Sequence, residues 1–157
     1  MATDQDFYIE VHCQQRNHVG ERICGDVFLK RRIKEENRTI VVLSDGMGHG
    51  VKANLLAILT ATMAMNFTQE HKDVERIADT IMNTLPVCAD RKISYSTFTI
   101  VDIEHDGEIR ILEYDNPRAT LLRGKNYLPV QWERISMETE RNKGKVLRTC
   151  RFYPQKD

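Results

Sequence analysis

The sequence lacks the features that mark secreted, membrane-spanning and nucleic-acid-binding proteins. Its first ten residues contain no apolar signal-peptide core, and no run of about 18 apolar residues occurs anywhere. Lysine plus arginine and aspartate plus glutamate balance at 23 each, so no net charge favours a nucleic acid or a membrane surface. The four cysteines form no CxxC pair, which is typical of reduced thiols inside a cell. We therefore expect a soluble cytoplasmic protein that binds neither nucleic acid nor membrane.

Internal repeats and low-complexity tracts are also absent, and 157 residues suffice for one domain with a buried core. Apolar residues at helical spacing predict a helix from about Gly50 to Gln69 and a second one that Asp73 caps. The order of strands, two helices and then a meander of strands predicts an α+β domain. The predicted strands are Phe7–Arg16, Asp26–Ile33, one that begins at Thr39, Ser94–Ile103, Glu108–Tyr114, Ala119–Arg123, Tyr127–Val130 and Val146–Tyr153.

The stretch 39–56, TIVVLSDGMGHGVKANLL, is the centre of this pattern. An apolar, β-branched strand ends in Ser44 and Asp45, a glycine-rich turn follows, and a helix begins. A carboxylate at a strand end beside glycines is well placed to meet a ligand, although a tight strand-to-helix turn would use the same residues. A hairpin would also bring Asp26, at the start of one strand, next to Asp45, at the end of the other.

A nucleotide-binding loop is an alternative for the same stretch, because a strand, a glycine turn and a helix can cradle phosphates. The glycine spacing fits neither GxGxxG nor GxxxxGK[ST]. Asp45, directly before the first glycine, would repel a phosphate unless a metal ion lay between them. His49 in the same turn could touch a substrate phosphate, or could be a solvated turn residue.

CGDVF at 24–28 followed by VLSDGMGHG at 42–50 resembles the SpoIIE-type branch of the metal-dependent protein phosphatases. This superfamily is often called protein phosphatase 2C-like. YSTFT at 95–99, YDNP at 114–117 and LLR at 121–123 resemble the same branch, in its order and at its approximate spacing. The resemblance runs from about Phe7 to Arg123, and the SDGMGHG string is its most specific part.

The resemblance implies an antiparallel β-sandwich flanked by helices, with two Mn²⁺ or Mg²⁺ ions at one sheet end. Asp45 would bridge the ions, and the carbonyl oxygen of Gly46 would bind one of them. Asp26 would bind that same ion directly or would contact one of its ligands. Such ions prefer oxygen ligands. The implied reaction is attack of metal-activated water on phosphoserine or phosphothreonine, without a phosphoenzyme. The implied partner is a small phosphorylated regulatory protein, such as an anti-sigma-factor antagonist.

The chain also departs from the family, because no second Ser/Thr-Asp-Gly motif follows Asp45. Asp106-Gly107 follows a histidine in a predicted turn and does not fit that motif. We therefore expect residues 1–157 to be one phosphatase domain that lacks its C-terminal strands, with weak or no activity. The competing hypothesis is a catalytically inactive interaction or scaffold domain in bacterial signalling. Missing strands would leave an open sheet edge, which predicts a homodimer through that edge.

Overall fold

The computed structural model describes residues 8–16, 19–20, 25–46, 50–84, 96–136 and 145–154. Two α-helices, α1 (Gly50–Gln69) and α2 (Val74–Thr84), lie between the second and third strands of the chain. A short 3₁₀ turn at Lys34–Glu36 joins the first two strands. The strands are β1 (Asp26–Ile33), β2 (Arg38–Asp45), β3 (Thr97–Ile103), β4 (Ile109–Tyr114), β5 (Leu122–Arg123), β6 (Asn126–Tyr127), β7 (Glu133–Ile135) and β8 (Leu147–Phe152).

Six strands form one antiparallel sheet in the order β1-β2-β3-β4-β8-β7. The two helices pack against one face of this sheet, so the predicted α+β class is confirmed. A β-sandwich consists of two large sheets, and the described part of the chain forms one of them. The strands β5 and β6 form a separate two-stranded ladder. None of the described helices is long and apolar enough to span a membrane.

The core lies between the sheet and the helices. Alternate residues of the central strands point to the helices because side chains of a strand alternate between its two faces. Phe98 and Tyr114 stack there on neighbouring strands with ring centroids 5.1 Å apart. The other buried side chains of this core are Ile33, Ile40, Val42, Ala61, Ala64, Met65, Ile77, Ala78, Ile81, Met82, Ile100, Leu112 and Leu147. Asp26 and Asp45 alternate to the opposite face, away from the helices.

A buried arginine ties the end of α1 to the sheet. The Arg38 side chain is fully buried, and its guanidinium donates two hydrogen bonds of 2.7 Å to the Asp102 carboxylate. It also donates to the carbonyl oxygen of Thr68 at 2.7 Å, near the end of α1. This pairing compensates the cost of burying both charges. Arg38 lies between the predicted strand that ends at Ile33 and the one that begins at Thr39, so the sequence pattern does not predict its burial.

The predicted strand Phe7–Arg16 is wrong over the described residues 8–16, which form no strand. Their side chains are mostly exposed, and Tyr8 is 88% exposed, so the apolar alternation buries no face. The segment contacts the sheet through Gln15, whose amide donates a hydrogen bond of 2.8 Å to the carbonyl oxygen of Asp26. Alternation alone does not supply the neighbouring strand that a β-strand needs.

The remaining predicted elements agree with the structure to within a few residues. The helix from about Gly50 to Gln69 is confirmed as α1. The N–H of Ile77 donates the first backbone hydrogen bond of α2 to the carbonyl oxygen of Asp73. This is the hydrogen bond that an N-cap residue accepts. The polar range Gln131–Lys145 gives no clear sequence signal, yet it contains β7. β7 pairs with β8 over Leu147–Thr149 and so covers part of the edge that was expected to be open.

Candidate active site

The hairpin of β1 and β2 brings the two predicted acids together. Asp26, the first residue of β1, pairs directly with Asp45, the last residue of β2. Directly opposite residues on one face of an antiparallel pair have their Cβ atoms about 4.5–5.5 Å apart. The backbone N–H of Gly46 then donates a hydrogen bond of 3.1 Å to the carbonyl oxygen of Gly25, one step beyond the last strand pair. Both carboxyl groups therefore stand at one corner of the sheet, on the face away from the helices.

Gly46 is required at this corner because α1 passes against its backbone. A Cβ atom added to Gly46 would lie 1.8 Å from the carbonyl oxygen of Ala53 in the first turns of α1. No side chain fits at that distance, so the position accepts glycine alone. The same close approach holds the backbone after Asp45 in place. The carbonyl group of Gly46 thus belongs to a rigid junction of strand and helix.

The two carboxyl groups influence each other electrostatically. Partial burial, the negative charge of Asp45 and a hydrogen bond to the Asp45 carboxyl raise the pKa of Asp26. Two like charges on facing strands destabilise each other. A divalent cation between them would remove this repulsion and would favour the ionised form of both groups. The electrostatics of this corner therefore fit a cation better than an anion.

The Thr97 hydroxyl of β3 lies beside the acid pair, and the sequence pattern does not predict a role for it. Thr97 is opposite Asp45 in the β2–β3 pairing and is buried. Its Oγ1 and the Oγ of Ser96 have no hydrogen-bond partner among the described residues. Ser44, by contrast, donates a hydrogen bond of 3.1 Å to the carbonyl oxygen of Thr97. Thr97 therefore places a polar atom next to the carboxylates that a ligand could satisfy.

Other polar residues lie elsewhere or have structural partners. Asn116 donates a hydrogen bond of 2.8 Å to Thr99, in accord with a turn role. The Arg118 guanidinium lies 6.0 Å from the ring centre of Trp132. His49 lies outside the described residues. A cleft between the start of α2 and the other end of the sheet, lined by Asp102 and Arg110 among others, is separate from the acid pair.

The donors at this corner suit Mn²⁺ or Mg²⁺ in kind, because both ions prefer carboxylate and carbonyl oxygens. The carboxylates of Asp26 and Asp45 are paired here, and the sequence resemblance adds the carbonyl oxygen of Gly46 as an expected third donor. Within the described residues, no group of three or more His, Cys, Asp and Glu side chains is arranged to hold a metal ion. The described part of the chain therefore offers two acids and one carbonyl to such an ion.

The solved structures that are similar to this chain include the following two. One is the PP2C phosphatase domain with a fragment of the regulatory domain of the cell fate determinant SpoIIE from Bacillus subtilis. It has a TM-score of 0.63 and 20% identity, and the match covers 87% of this chain and 40% of that one. The other is RsbX in complex with magnesium, with a TM-score of 0.51, 21% identity and coverage of 90% and 56%. At these identities the likeness shows a shared fold, and this chain spans about half or less of either structure.

None of the curated protein sequences matches the chain significantly. The sequence profile described as Stage II sporulation protein E (SpoIIE), however, matches residues 35–136. That range includes Asp45 and Gly46 but not Asp26. The inclusion of Asp26 in the candidate site therefore depends on the strand pairing alone. Because the match spans more than half of the sequence, and the fold is that of the PP2C-like phosphatases, the chain belongs to the SpoIIE family.

Proposed function

We propose that Asp26, Asp45 and the carbonyl oxygen of Gly46 hold Mn²⁺ or Mg²⁺ in a phosphatase site that acts on phosphoserine or phosphothreonine of a regulatory protein. The observation that carries this proposal is the direct pairing of two carboxylates at a sheet end, beside a glycine backbone packed on a helix. Membership of the SpoIIE family and the PP2C-like fold support the same reaction class.

Groups of the chain itself would bind the divalent ion and orient water or phosphate in this site. Asp45 and Asp26 supply the negative charge that holds a divalent ion, and the junction with α1 keeps the Gly46 carbonyl group fixed. The chemistry that such an ion supplies when bound is activation of water and neutralisation of charge on the phosphoryl group. The Thr97 hydroxyl, opposite Asp45, would donate a hydrogen bond to a water molecule or a phosphate oxygen there.

The donor count sets the expected strength of this site. Affinity for these ions depends largely on the number and charge of the ligands, and two acids with one carbonyl are few. We therefore expect weak ion binding and slow turnover by this chain. The same observation favours a second candidate, in which the fold acts as a catalytically inactive interaction domain for a signalling partner.

The test is hydrolysis of p-nitrophenyl phosphate with and without Mn²⁺, by the unchanged chain and by Asp45→Asn and Asp26→Asn. Each variant removes one negative charge and should lower the Mn²⁺-dependent rate at least about tenfold, as losses of this kind in catalytic groups do. Asp106→Asn is the matched control, because Asp106 is an exposed turn residue that accepts the Glu108 N–H and asparagine preserves that acceptor.

The outcomes separate the two candidates. Mn²⁺-dependent turnover that is lost in Asp45→Asn and kept in Asp106→Asn supports the enzyme. Turnover that is equal in all variants contradicts the proposed site. Absence of turnover at any Mn²⁺ concentration favours the interaction domain.

Homodimerisation through a sheet edge also remains a proposal. β7 covers β8 only as far as Thr149, so β8 after Thr149 has no outer partner strand among the described residues. Unpaired strand edges favour pairing with another chain. Sedimentation at high protein concentration tests this, and a monomer there would count against the dimer.

A further inference from the structure

The β5–β6 hairpin, residues 122–127, presents large apolar side chains to solvent. All six of its residues are exposed, and the hairpin is not hydrogen-bonded into the six-stranded sheet. Leu122 is 62% exposed and Tyr127 is 79% exposed. The two residues pair directly across the hairpin, so their side chains stand together on one side of it. This places an aliphatic and an aromatic group side by side in water.

The charged residues of the segment that contains this pair all have the same sign. Between Asn116 and Trp132 the sequence contains Arg118, Arg123 and Lys125 and no aspartate or glutamate. The chain as a whole balances 23 basic against 23 acidic residues, so the segment is locally basic in a neutral protein. A basic surface attracts acidic partners and raises their association rate.

The hairpin is also held in place. Arg123 donates a hydrogen bond of 2.7 Å to the carbonyl oxygen of Tyr153, which follows β8. The N–H of Leu128 donates to the carbonyl oxygen of Leu121 at 2.8 Å and extends the ladder by one step. Two-stranded hairpins are marginally stable alone, so this tether to β8 maintains the shape of the exposed pair. A positioned surface costs less entropy to bind than a mobile loop.

We propose that the β5–β6 hairpin is a docking surface for an acidic protein segment that carries a large apolar side chain. Leu122 and Tyr127 would contact the apolar group, and Arg123 and Lys125 would pair with the acids beside it. Aromatic residues and arginine are enriched among the residues that dominate protein interfaces. This inference goes beyond the proposed function, because docking here does not require the acid pair to be catalytically active.

A nucleic acid is the competing anionic partner, and the structure favours the protein. Affinity for nucleic acids grows with the number of phosphates that lysine and arginine neutralise. The segment carries three such residues in a protein of zero net charge. The exposed leucine offers an aliphatic contact that suits a protein side chain, whereas single-stranded nucleic acids bind chiefly by stacking on aromatic rings and by phosphate contacts.

The experiment measures binding of fluorescein-labelled polymers to the full chain by fluorescence anisotropy. The probes are a random copolymer of glutamate and tyrosine, polyglutamate, polylysine and single-stranded polyuridylate RNA. We expect the copolymer to bind more tightly than polyglutamate and polylysine not to bind. Leu122→Ser with Tyr127→Ser, which keeps every charge, should weaken copolymer binding at least about tenfold.

A charge variant tests the basic part of the surface independently. Lys125→Glu should also weaken copolymer binding at least about tenfold, because it reverses a charge beside the docked acids. Lys30→Glu makes the same reversal at an exposed position of β1 and should change binding less than about twofold. Far-ultraviolet circular dichroism and thermal unfolding confirm that each variant is folded.

Either of two results would overturn the proposal. One is the absence of copolymer binding. The other is equal loss of binding in Lys125→Glu and Lys30→Glu, which would indicate an unspecific charge effect. RNA that binds more tightly than the copolymer and displaces it would assign the hairpin to nucleic acid instead.

Discussion

Glu113 is a carboxyl group inside the protein, only 1% exposed, on the face of β4 away from the helices. Its Oε2 accepts the backbone N–H of Ala119, and its Oε1 has no hydrogen-bond partner among the described residues. Burial raises the pKa of Glu113, while the bond from Ala119 and the charges of Arg148 and Arg118 oppose that rise. Glu113 therefore holds a proton in the folded chain at pH values where the unfolded chain has lost it.

The raised pKa of Glu113 determines whether the free energy of unfolding rises or falls with pH. The folded state binds more protons than the unfolded state above pH 4.5, the ordinary pKa of this group, and up to its raised value. The free energy of unfolding should therefore fall as the pH rises through that window. Glu113→Gln should remove this slope and stabilise the chain at neutral pH by about 1 kcal/mol, since an amide oxygen still accepts the Ala119 N–H.

Urea unfolding of the unchanged chain and of Glu113→Gln at about pH 4 to pH 8 measures the difference in stability. This range begins near the ordinary carboxyl pKa and extends above it. Glu133→Gln, at an exposed position of β7, is the control and should change stability by less than about 0.5 kcal/mol. A destabilised Glu113→Gln at neutral pH would show that the ionised carboxylate is instead a stabilising partner of Arg148 and Arg118.

At the scale of elements, the junction of β2 and α1 depends on Gly46. In Gly46→Ala the new Cβ would lie 1.8 Å from the Ala53 carbonyl oxygen, so α1 or the strand end must move. We expect a loss of about 3 kcal/mol in the free energy of unfolding, as for strong overpacking. Thermal and urea unfolding measure this loss.

Gly124→Ala separates steric overlap from backbone strain. Gly124 has a φ of +62° in the β5–β6 turn, and a Cβ there would have no atom within 4 Å. Its replacement should cost about 1 kcal/mol through the left-handed backbone conformation alone. Equal costs at the two glycines would contradict the tight contact between Gly46 and α1.

The pair of Arg38 and Asp102 joins β2, β3 and the end of α1. Arg38→Met leaves the buried Asp102 carboxylate with the more distant Arg110 guanidinium, at 3.5 Å, as its charged partner, so it should lower the free energy of unfolding by about 3 kcal/mol. The double variant Arg38→Met with Asp102→Leu should recover part of that loss, because neither charge remains. Urea unfolding of the cycle measures the coupling, with Arg134→Met at an exposed position of β7 as the control. Independent, additive losses would contradict the buried ion pair.

The local elements were predictable because their causes are local. The β1–β2 hairpin follows from two neighbouring predicted strands with a short polar connection, and α1 follows from apolar residues at helical spacing after a glycine turn. The pairing of Asp26 with Asp45 then follows from antiparallel geometry.

Features that depend on distant partners could not be predicted in the same way. β7 is a polar strand of three residues that exists because it pairs with β8. Arg38 is buried because Asp102, 64 residues later in the chain, is its partner. Thr97 lies beside Asp45 only through the β2–β3 pairing, so its hydroxyl was missed as a site atom. The alternation over Phe7–Arg16 misled the interpretation because no strand pairs with the described residues 8–16.

At the scale of the whole molecule, the two proposed sites lie on separate elements, one on the six-stranded sheet and one on the β5–β6 hairpin. The acid pair stands at the corner of β1 and β2, and the basic hairpin is tethered near the end of β8. The match covers 40% of the SpoIIE phosphatase-domain structure and 56% of the RsbX structure. The proposed activity towards a phosphoprotein depends on the binding of a divalent ion by Asp26 and Asp45.

Isothermal titration calorimetry of the metal-free chain with Mn²⁺ tests this claim most directly. We predict weak binding, with a dissociation constant of about 10⁻⁴–10⁻³ M, because the described donors are two carboxylates and one carbonyl. Asp45→Asn should abolish this binding, and Asp106→Asn should leave it unchanged. Mn²⁺ binding of equal strength in Asp45→Asn, or no binding by the unchanged chain at millimolar Mn²⁺ (about 10⁻³ M), would contradict a metal centre at Asp26 and Asp45.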